Sequence, residues 1–160
     1  MLILILLFIA QFAVAEETPA FNLPTLDENI VSSDSLRGTA VYLDFWASWC
    51  KPCRDTFPWM NELQEAYGPR GLRVVAVNLD RRRELADKFL LEHPAEFTVA
   101  FDPEGQTASA YKVGAMPTAF IIDRAGNILQ RHEGFHQKDR EELLRLIEAT
   151  LSDSLLLKSK

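Results

Sequence analysis

Short apolar runs alternate along the chain with amphipathic segments, in an order that predicts alternating strands and helices. Residues 40–46 (AVYLDFW) and 73–79 (RVVAVNL) are apolar on both faces, which is typical of strands covered on both sides. Between them, residues 52–67 carry apolar side chains at helical spacing and end at Gly68-Pro69. This spacing predicts a βαβ unit with parallel strands and a right-handed crossover.

The remaining segments complete a mixed α/β sheet with helices on both faces. Residues 17–38 are rich in turn formers, which predicts short strands or a hairpin leading into the domain. The later pattern predicts helices over residues 84–91, 104–111 and 138–151, strands over 97–101, 118–122 and 127–131, and a hairpin turn over 123–126. We therefore expect one domain over residues 16–152 and a flexible tail over residues 153–160.

Residues 1–15 (MLILILLFIAQFAVA) are apolar apart from Gln11 and end in Ala13-Val14-Ala15, the small-residue pattern of a signal peptidase site. As a helix they would span about 22 Å at about 1.5 Å per residue, less than the roughly 30 Å of a bilayer core. We predict a cleaved secretory signal and a periplasmic or otherwise extracytoplasmic location. An uncleaved short anchor, which would tether the protein to the membrane, and a buried first strand are the alternatives, since no Lys or Arg precedes the run.

Charge and cysteine content narrow the class of function. A formal net charge of -6 argues against nucleic acid as a partner, because phosphate binding needs a basic surface. A small secreted scaffold stapled by disulfides would carry several cysteine pairs, but this chain has two cysteines, separated by two residues. A bridge across so short a loop constrains little of the chain, so the pair is interpreted as chemical rather than structural.

Cys50 and Cys53 frame the dipeptide Lys51-Pro52 at the start of the predicted helix. Thiol–disulfide exchange needs a thiolate that attacks and a second thiol that resolves the mixed disulfide. The helix start supplies unpaired N–H groups and the positive dipole end, and Lys51 adds positive charge, so we expect the pKa of Cys50 to lie below that of a free cysteine. Pro52 suits a helix start, where its missing N–H is not needed. Cys53 should lie one turn into the helix, more shielded than Cys50.

Two other interpretations of the cysteine pair are weaker, a zinc site and a purely structural disulfide. A zinc site would need two more ligands, but the chain has no other cysteine, and its candidate histidines, His93, His132 and His136, show no paired spacing. We therefore predict no metal site and no cofactor.

Asp44 lies inside an otherwise apolar strand, six residues before Cys50. Burial of a carboxylate is costly and raises its pKa. Such a group near Cys53 could accept and return the proton of the resolving thiol. The alternative is a carboxylate bonded to nearby backbone or to a lysine.

The segment Trp46-Ala47-Ser48-Trp49-Cys50-Lys51-Pro52-Cys53, with Asp44 before it and Pro58 after it, resembles the active-site stretch of thioredoxin. Met116-Pro117-Thr118 is similar to the cis-proline loop of that family. The resemblance covers residues 20–151. The exported start, the entry hairpin, and the added helix and strand between residues 79 and 102 resemble the TlpA/ResA branch, whose members reduce disulfides in the periplasm or at the cell surface, some of them serving cytochrome c maturation.

The resemblance implies a role for each matching position. Cys50 would be the nucleophile, Cys53 the resolving thiol and Asp44 the proton carrier. Met116 would offer its backbone to the substrate beside a cis Pro117. Trp49 would pack beside the dithiol, unless it is an ordinary core tryptophan.

By the same resemblance, the partners would be disulfide-bearing exported proteins and a membrane electron donor of the thiol-relay type, with transient association with the membrane.

Two features depart from the thioredoxin pattern. Lys51 stands where thioredoxin has glycine, and the residues between the cysteines tune the redox potential. The resemblance makes Asp80 a candidate for an additional acidic residue near the active site. Its place before Arg81-Arg82-Arg83 favours a solvated loop carboxylate, and the arginines are interpreted as surface residues or as a docking site for an acidic partner.

Two rival functions remain at this point. A peroxidase of the peroxiredoxin type would carry Thr or Ser three residues before its nucleophile and Pro seven before, where this chain has Ala47 and Leu43. A non-catalytic binding module would have no use for two vicinal thiols.

Overall fold

The computed structural model describes residues 16–157, with side chains described as far as Ser152. The strands are β1 (Glu16–Glu17), β2 (Asn22–Pro24), β3 (Ile30–Ser32), β4 (Ala40–Trp46), β5 (Leu72–Asn78), β6 (Thr98–Phe101), β7 (Thr118–Ile122) and β8 (Asn127–Glu133). The helices are α1 (Ser33–Leu36), α2 (Cys53–Tyr67), α3 (Arg83–Glu92), α4 (Gln106–Ala110) and α5 (Arg140–Leu157).

Six strands form the central sheet in the order β1-β8-β7-β4-β5-β6. Strands β4, β5 and β6 are parallel, and β7 runs antiparallel to β4 and to β8. The predicted parallel pairing of the two strands around α2 is therefore confirmed. Because β4 is an inner strand, its carboxyl end lies in the middle of the row of strand ends on one side of the sheet.

All seven residues of β4 are buried, since helices or loops cover both faces of the sheet. Tyr42 and Trp46 pack with α2, α3 and α5, whereas Leu43 and Phe45 pack with the N-terminal hairpin and α4. The continuous apolar run of β4 is thus explained by burial on two sides, and the predicted mixed sheet with helices on both faces is confirmed.

The predicted N-terminal hairpin exists as the antiparallel pair β2–β3. It docks against the outer strand of the sheet, where the N–H of Leu26 donates to the carbonyl of Val99 at 2.9 Å and Thr25 bridges to Ala100. The hairpin therefore covers an edge that would otherwise expose unpaired backbone groups. Helix α1, which the sequence pattern did not predict, follows directly and is capped by reciprocal bonds between Ser32 and Ser35.

The two ends of the described region bear on the predicted boundaries. Helix α5 continues to Leu157, past the end expected at residue 151, so residues 153–157 are helical where a loose tail was expected. The predicted signal, residues 1–15, lies outside the described residues. Among the helices described for residues 16–157, none has the length and apolar character needed to cross a membrane.

Candidate active site

Cys50 and Cys53 lie where β4 gives way to α2, and a disulfide joins them with their Cα atoms 5.4 Å apart. The connecting turn is closed by backbone bonds, from the N–H of Cys50 to the carbonyl of Ala47 at 3.0 Å and from the N–H of Cys53 to the carbonyl of Cys50 at 3.2 Å. The sequence therefore places both sulfurs at the amino-terminal tip of a 15-residue helix, where the dipole favours negative charge.

The disulfide state buries both cysteines. Cys50 is 3% exposed and Cys53 is fully buried, so the order of shielding agrees with the prediction. In this state the attacking sulfur is itself almost covered, because Cys50 is bonded to Cys53. Cys53 is also the first residue of α2 rather than one turn inside it.

The residues next to the two cysteines in the chain are exposed to solvent. Lys51 and Pro52 are exposed, and Pro52 precedes the helix with φ −67°, the value that its ring imposes. Trp49 is 70% exposed, which excludes the alternative of a core tryptophan. An indole and an ammonium group thus flank Cys50 on the surface.

Asp44 lies on the face of the sheet that packs against α2, in phase with Tyr42 and Trp46. Its side chain is 1% exposed, and neither carboxylate oxygen has a hydrogen-bond partner among the described residues. Burial therefore raises the pKa of Asp44 well above its ordinary value. Burial also raises the pKa of Tyr42, and the nearby charge of Asp44 adds to that effect. The alternative of an Asp44 carboxylate bonded to backbone or lysine is wrong.

The predicted cis-proline loop lies at the start of β7, the strand next to β4 in the sheet. The bond between Met116 and Pro117 is cis, as the resemblance implied. Met116 is half-buried and packs against the core that contains both cysteines. The loop is held by the N–H of Gly134, which donates to the carbonyl of Pro117 at 2.8 Å, and by the Thr118 hydroxyl, which donates to the carbonyl of Ala115 at 2.7 Å.

Asp80 is not the solvated carboxylate that the sequence favoured. It is 5% exposed and accepts hydrogen bonds from the Ser48 N–H at 2.8 Å, the Ser48 hydroxyl at 2.9 Å and the Asn78 amide at 2.8 Å. Sequence reasoning missed this brace on the loop before Cys50. The carboxyl ends of neighbouring parallel strands meet at one sheet edge, so the positions of Ser48 after β4 and Asp80 after β5 carried a usable signal.

The described side chains include no group of three or more His, Cys, Asp or Glu residues placed to hold a metal ion. The chemistry that the site offers is that of two vicinal sulfurs at a helix tip, with one buried carboxyl on the sheet face beneath the helix.

Comparison with known proteins agrees with this geometry. The model of the AhpC/TSA family matches residues 14–131. The thiol-disulfide oxidoreductase ResA of Oceanobacillus iheyensis is 35% identical over 135 residues, covering 82% of this chain and 70% of that protein. ResA of Bacillus thuringiensis subsp. konkukian is 33% identical over 138 residues, covering 86% of this chain and 80% of that protein.

A solved structure from Chlorobium tepidum, assigned as a thiol:disulfide interchange protein DsbE, shares 52% identity and superposes with a TM-score of 0.83. The match covers 86% of this chain and 96% of that one. With the vicinal cysteines at the tip of α2, these matches show that the chain belongs to the AhpC/TSA family and is a thioredoxin-like thiol-disulfide oxidoreductase.

Proposed function

We propose that the protein reduces disulfides of extracytoplasmic client proteins through the Cys50/Cys53 dithiol. The observation that carries the proposal is the position of these two sulfurs, at the tip of α2 and within bonding distance of each other. Cys50 retains the small exposed fraction, and Cys53 faces the core. This arrangement supports a role for Cys50 as the attacking thiol and for Cys53 as the resolving thiol.

The reaction would proceed through a mixed disulfide. The Cys50 thiolate attacks one sulfur of the client disulfide, the client S–S bond breaks, and the other client sulfur leaves as a thiolate. The Cys53 thiolate then attacks the Cys50 sulfur, which releases the second client thiolate and forms the Cys50–Cys53 disulfide. The client gains two electrons and the protein is oxidised, so a dithiol donor must reduce it again before the next cycle.

Asp44 would move the proton that the second step requires. Cys53 is fully buried and needs a base to become a thiolate. A carboxyl whose pKa is raised by burial moves toward the operating pH, where it can both accept a proton and return it. Neither of its oxygens has a hydrogen-bond partner in the described part of the chain, so both are available for this exchange.

Client binding would use three residues around Cys50. The exposed ring of Trp49 offers apolar contact area beside the sulfur. Met116, just before β7, would offer its backbone to an extended client segment, and cis Pro117 would hold that edge open, as the thioredoxin-like pattern implies. Lys51 and Pro52 would tune the acidity of Cys50.

The location and the electron source belong to the same proposal. The apolar residues 1–15 support export, so the clients would be disulfide-bearing exported proteins. Outside the cytosol the electrons would come from a membrane donor of the thiol-relay type, with which the protein associates transiently.

A trapping experiment tests the proposal. In the extracytoplasmic compartment of the expressing cell, Cys53→Ser should accumulate mixed disulfides with clients, identified by mass spectrometry, because the resolving thiol is missing. Cys50→Ser is the matched control and should form none. Equal adduct formation by both variants, or by neither, would contradict the assigned roles.

Two further assays address the rival functions. Reduction of insulin with dithiothreitol is expected for the oxidoreductase and would be absent for a binding module. A peroxidase would consume hydrogen peroxide, but Ala47 and Leu43 are both fully buried and apolar, so neither can position peroxide beside Cys50.

A further inference from the structure

Two segments with unpaired basic side chains meet beside the dithiol. The turn before α2 carries Lys51, the first turn of α2 carries Arg54, and the loop directly after β5 carries Arg81 and Arg82. All four side chains are exposed, and none forms an ion pair with a residue whose side chain is described. We call these four residues the basic rim.

The brace between Asp80 and Ser48 brings the two segments together. Ser48 lies two residues before Cys50, and its N–H and hydroxyl both bond to the Asp80 carboxylate. Arg81 follows Asp80 directly in the chain, so the Cα atoms of Arg81 and Asp80 are about 3.8 Å apart. A client segment that reaches Cys50 therefore passes within range of the loop after β5.

The conformation of this loop does not depend on the basic side chains themselves. The N–H of Asp80 donates to the Asn78 side chain at 3.0 Å, and the N–H of Leu85 donates to the carbonyl of Arg82 at 3.1 Å. Buried polar groups and backbone thus hold the turn, which leaves Arg81 and Arg82 free to contact a partner.

The third arginine of the triplet is used differently. Arg83 pairs with Asp87 at 2.7 Å and lies 3.8 Å above the ring of Phe101. Its role is to hold α3 against β6. Only the first two arginines of the triplet therefore belong to the rim.

The basic rim is locally positive, although the chain as a whole is negative. The chain has a net charge of -6, but the four rim cations are accompanied by only two exposed carboxylates on the same segments, Asp55 and Glu84. Complementary charge around a binding site raises association rates and discriminates between partners. Positive charge beside the reacting sulfur favours partners that carry negative charge close to their disulfide.

We propose that the basic rim selects client proteins whose disulfides are flanked by acidic side chains. This inference rests on the proposed reduction of client disulfides at Cys50, and it adds the chemical class of the client. A protein is favoured over an anionic membrane surface, because the rim is small, has the carboxylates of Asp55 and Glu84 beside it, and includes Lys51 between the two cysteines.

Two peptides test the preference. Each carries the same disulfide, flanked in one by Glu and in the other by Lys, and each is mixed with the pre-reduced full-length protein in single-turnover measurements. At about 20 mM salt the rate constant for the Glu peptide should exceed that for the Lys peptide about tenfold. At about 0.5 M salt the ratio should fall below about twofold, because screening lengths there are only a few ångström.

The double variant Arg81→Glu/Arg82→Glu should abolish or reverse that ratio. The matched control Arg73→Glu/Arg145→Glu changes the net charge equally and should leave the ratio unaltered. Arg73 lies at the opposite end of β5 from Asp80, about 20 Å along the strand, and Arg145 is exposed on α5.

The outcomes separate this inference from the proposal beneath it. If the wild-type protein reduces both peptides at equal rates, client selection by the basic rim is refuted and the proposed function stands. The same holds if the Arg81→Glu/Arg82→Glu variant keeps the wild-type ratio of the two rate constants. Equal loss of both rates in the rim variant at every salt concentration also overturns client selection by the rim, because it would show a structural role. Rim-dependent binding to vesicles of anionic phospholipid with no peptide preference would assign the rim to a membrane instead. If the wild-type protein reduces neither peptide nor insulin, the proposed function itself fails.

Discussion

Replacement of Asp44 by Asn should stabilise the protein at neutral pH and at the same time slow its catalysis. The carboxyl is 1% exposed, accepts no hydrogen bond from any residue that the structure describes, and has a pKa raised by burial. Below about pH 4 it is protonated in both the folded and the unfolded chain, and the variant should differ little from wild type. As pH rises above 4, the unfolded chain loses this proton while the folded protein keeps it, so wild-type stability falls.

The size of the effect follows from linkage. Each pH unit between the unfolded and the folded pKa removes up to about 1.4 kcal/mol of the free energy of unfolding, and the loss stops above the folded pKa. The neutral amide of the variant avoids this loss, so its advantage should grow with pH at that slope. The resolving step should slow by up to about 10²-fold, within reach of general acid–base catalysis.

Urea denaturation of the oxidised protein at a series of pH values measures the first effect, and single-turnover release of client thiol measures the second. Asp102→Asn is the matched control, because the buried Asp102 carboxylate accepts bonds from the N–H groups of Gln106 and Ala108, each at 3.0 Å. That change should cost about 1–3 kcal/mol. A stability difference for Asp44→Asn that is constant with pH, or negative at pH 7, would refute the reasoning.

Two further predictions concern the loop before Cys50. Asp80→Ala leaves three donors without an acceptor, the buried Asn78 amide and the half-buried N–H and hydroxyl of Ser48, and should lower the free energy of unfolding by about 2–4 kcal/mol. Ser48→Ala removes one bond and should cost about 1 kcal/mol. Urea denaturation measures both, and equal costs would argue against the brace. Trp49→Ala should reduce kcat/KM for a protein disulfide about tenfold with a stability change within about 0.5 kcal/mol, because the ring is 70% exposed; a large loss of stability would place the ring in the fold instead.

The fold was largely predictable from local pattern. Strands β4 and β7 have the bounds that their apolar runs predicted, because residues buried on both faces leave no ambiguity about where the strand lies. The missed elements are short: α1 has four residues and β1 has two, too few for any periodicity to show. Strand β1 also depends on a tertiary partner, since it forms only by pairing with β8.

The site was predictable where chemistry is encoded in neighbouring residues. The positions of Cys50 and Cys53 at the start of α2 follow from a two-residue gap and a helix pattern. The burial of Asp44 follows from its apolar neighbours. The role of Asp80 was missed, because its partner Ser48 is 32 residues away and the link between them appears only when the predicted pairing of β4 with β5 is taken into account.

Strand β8 runs from the start of the described chain, at Glu16, to the cis-proline loop beside the dithiol. At its beginning, Ile128 pairs with Glu16, the first described residue, and at its end Glu133 pairs with Thr118, beside Pro117. Seven residues of strand span about 20 Å. A surface that held the protein through the residues before Glu16 would thus be separated from the sulfurs by the length of the sheet, and bulky clients could approach them without steric hindrance from the point of attachment.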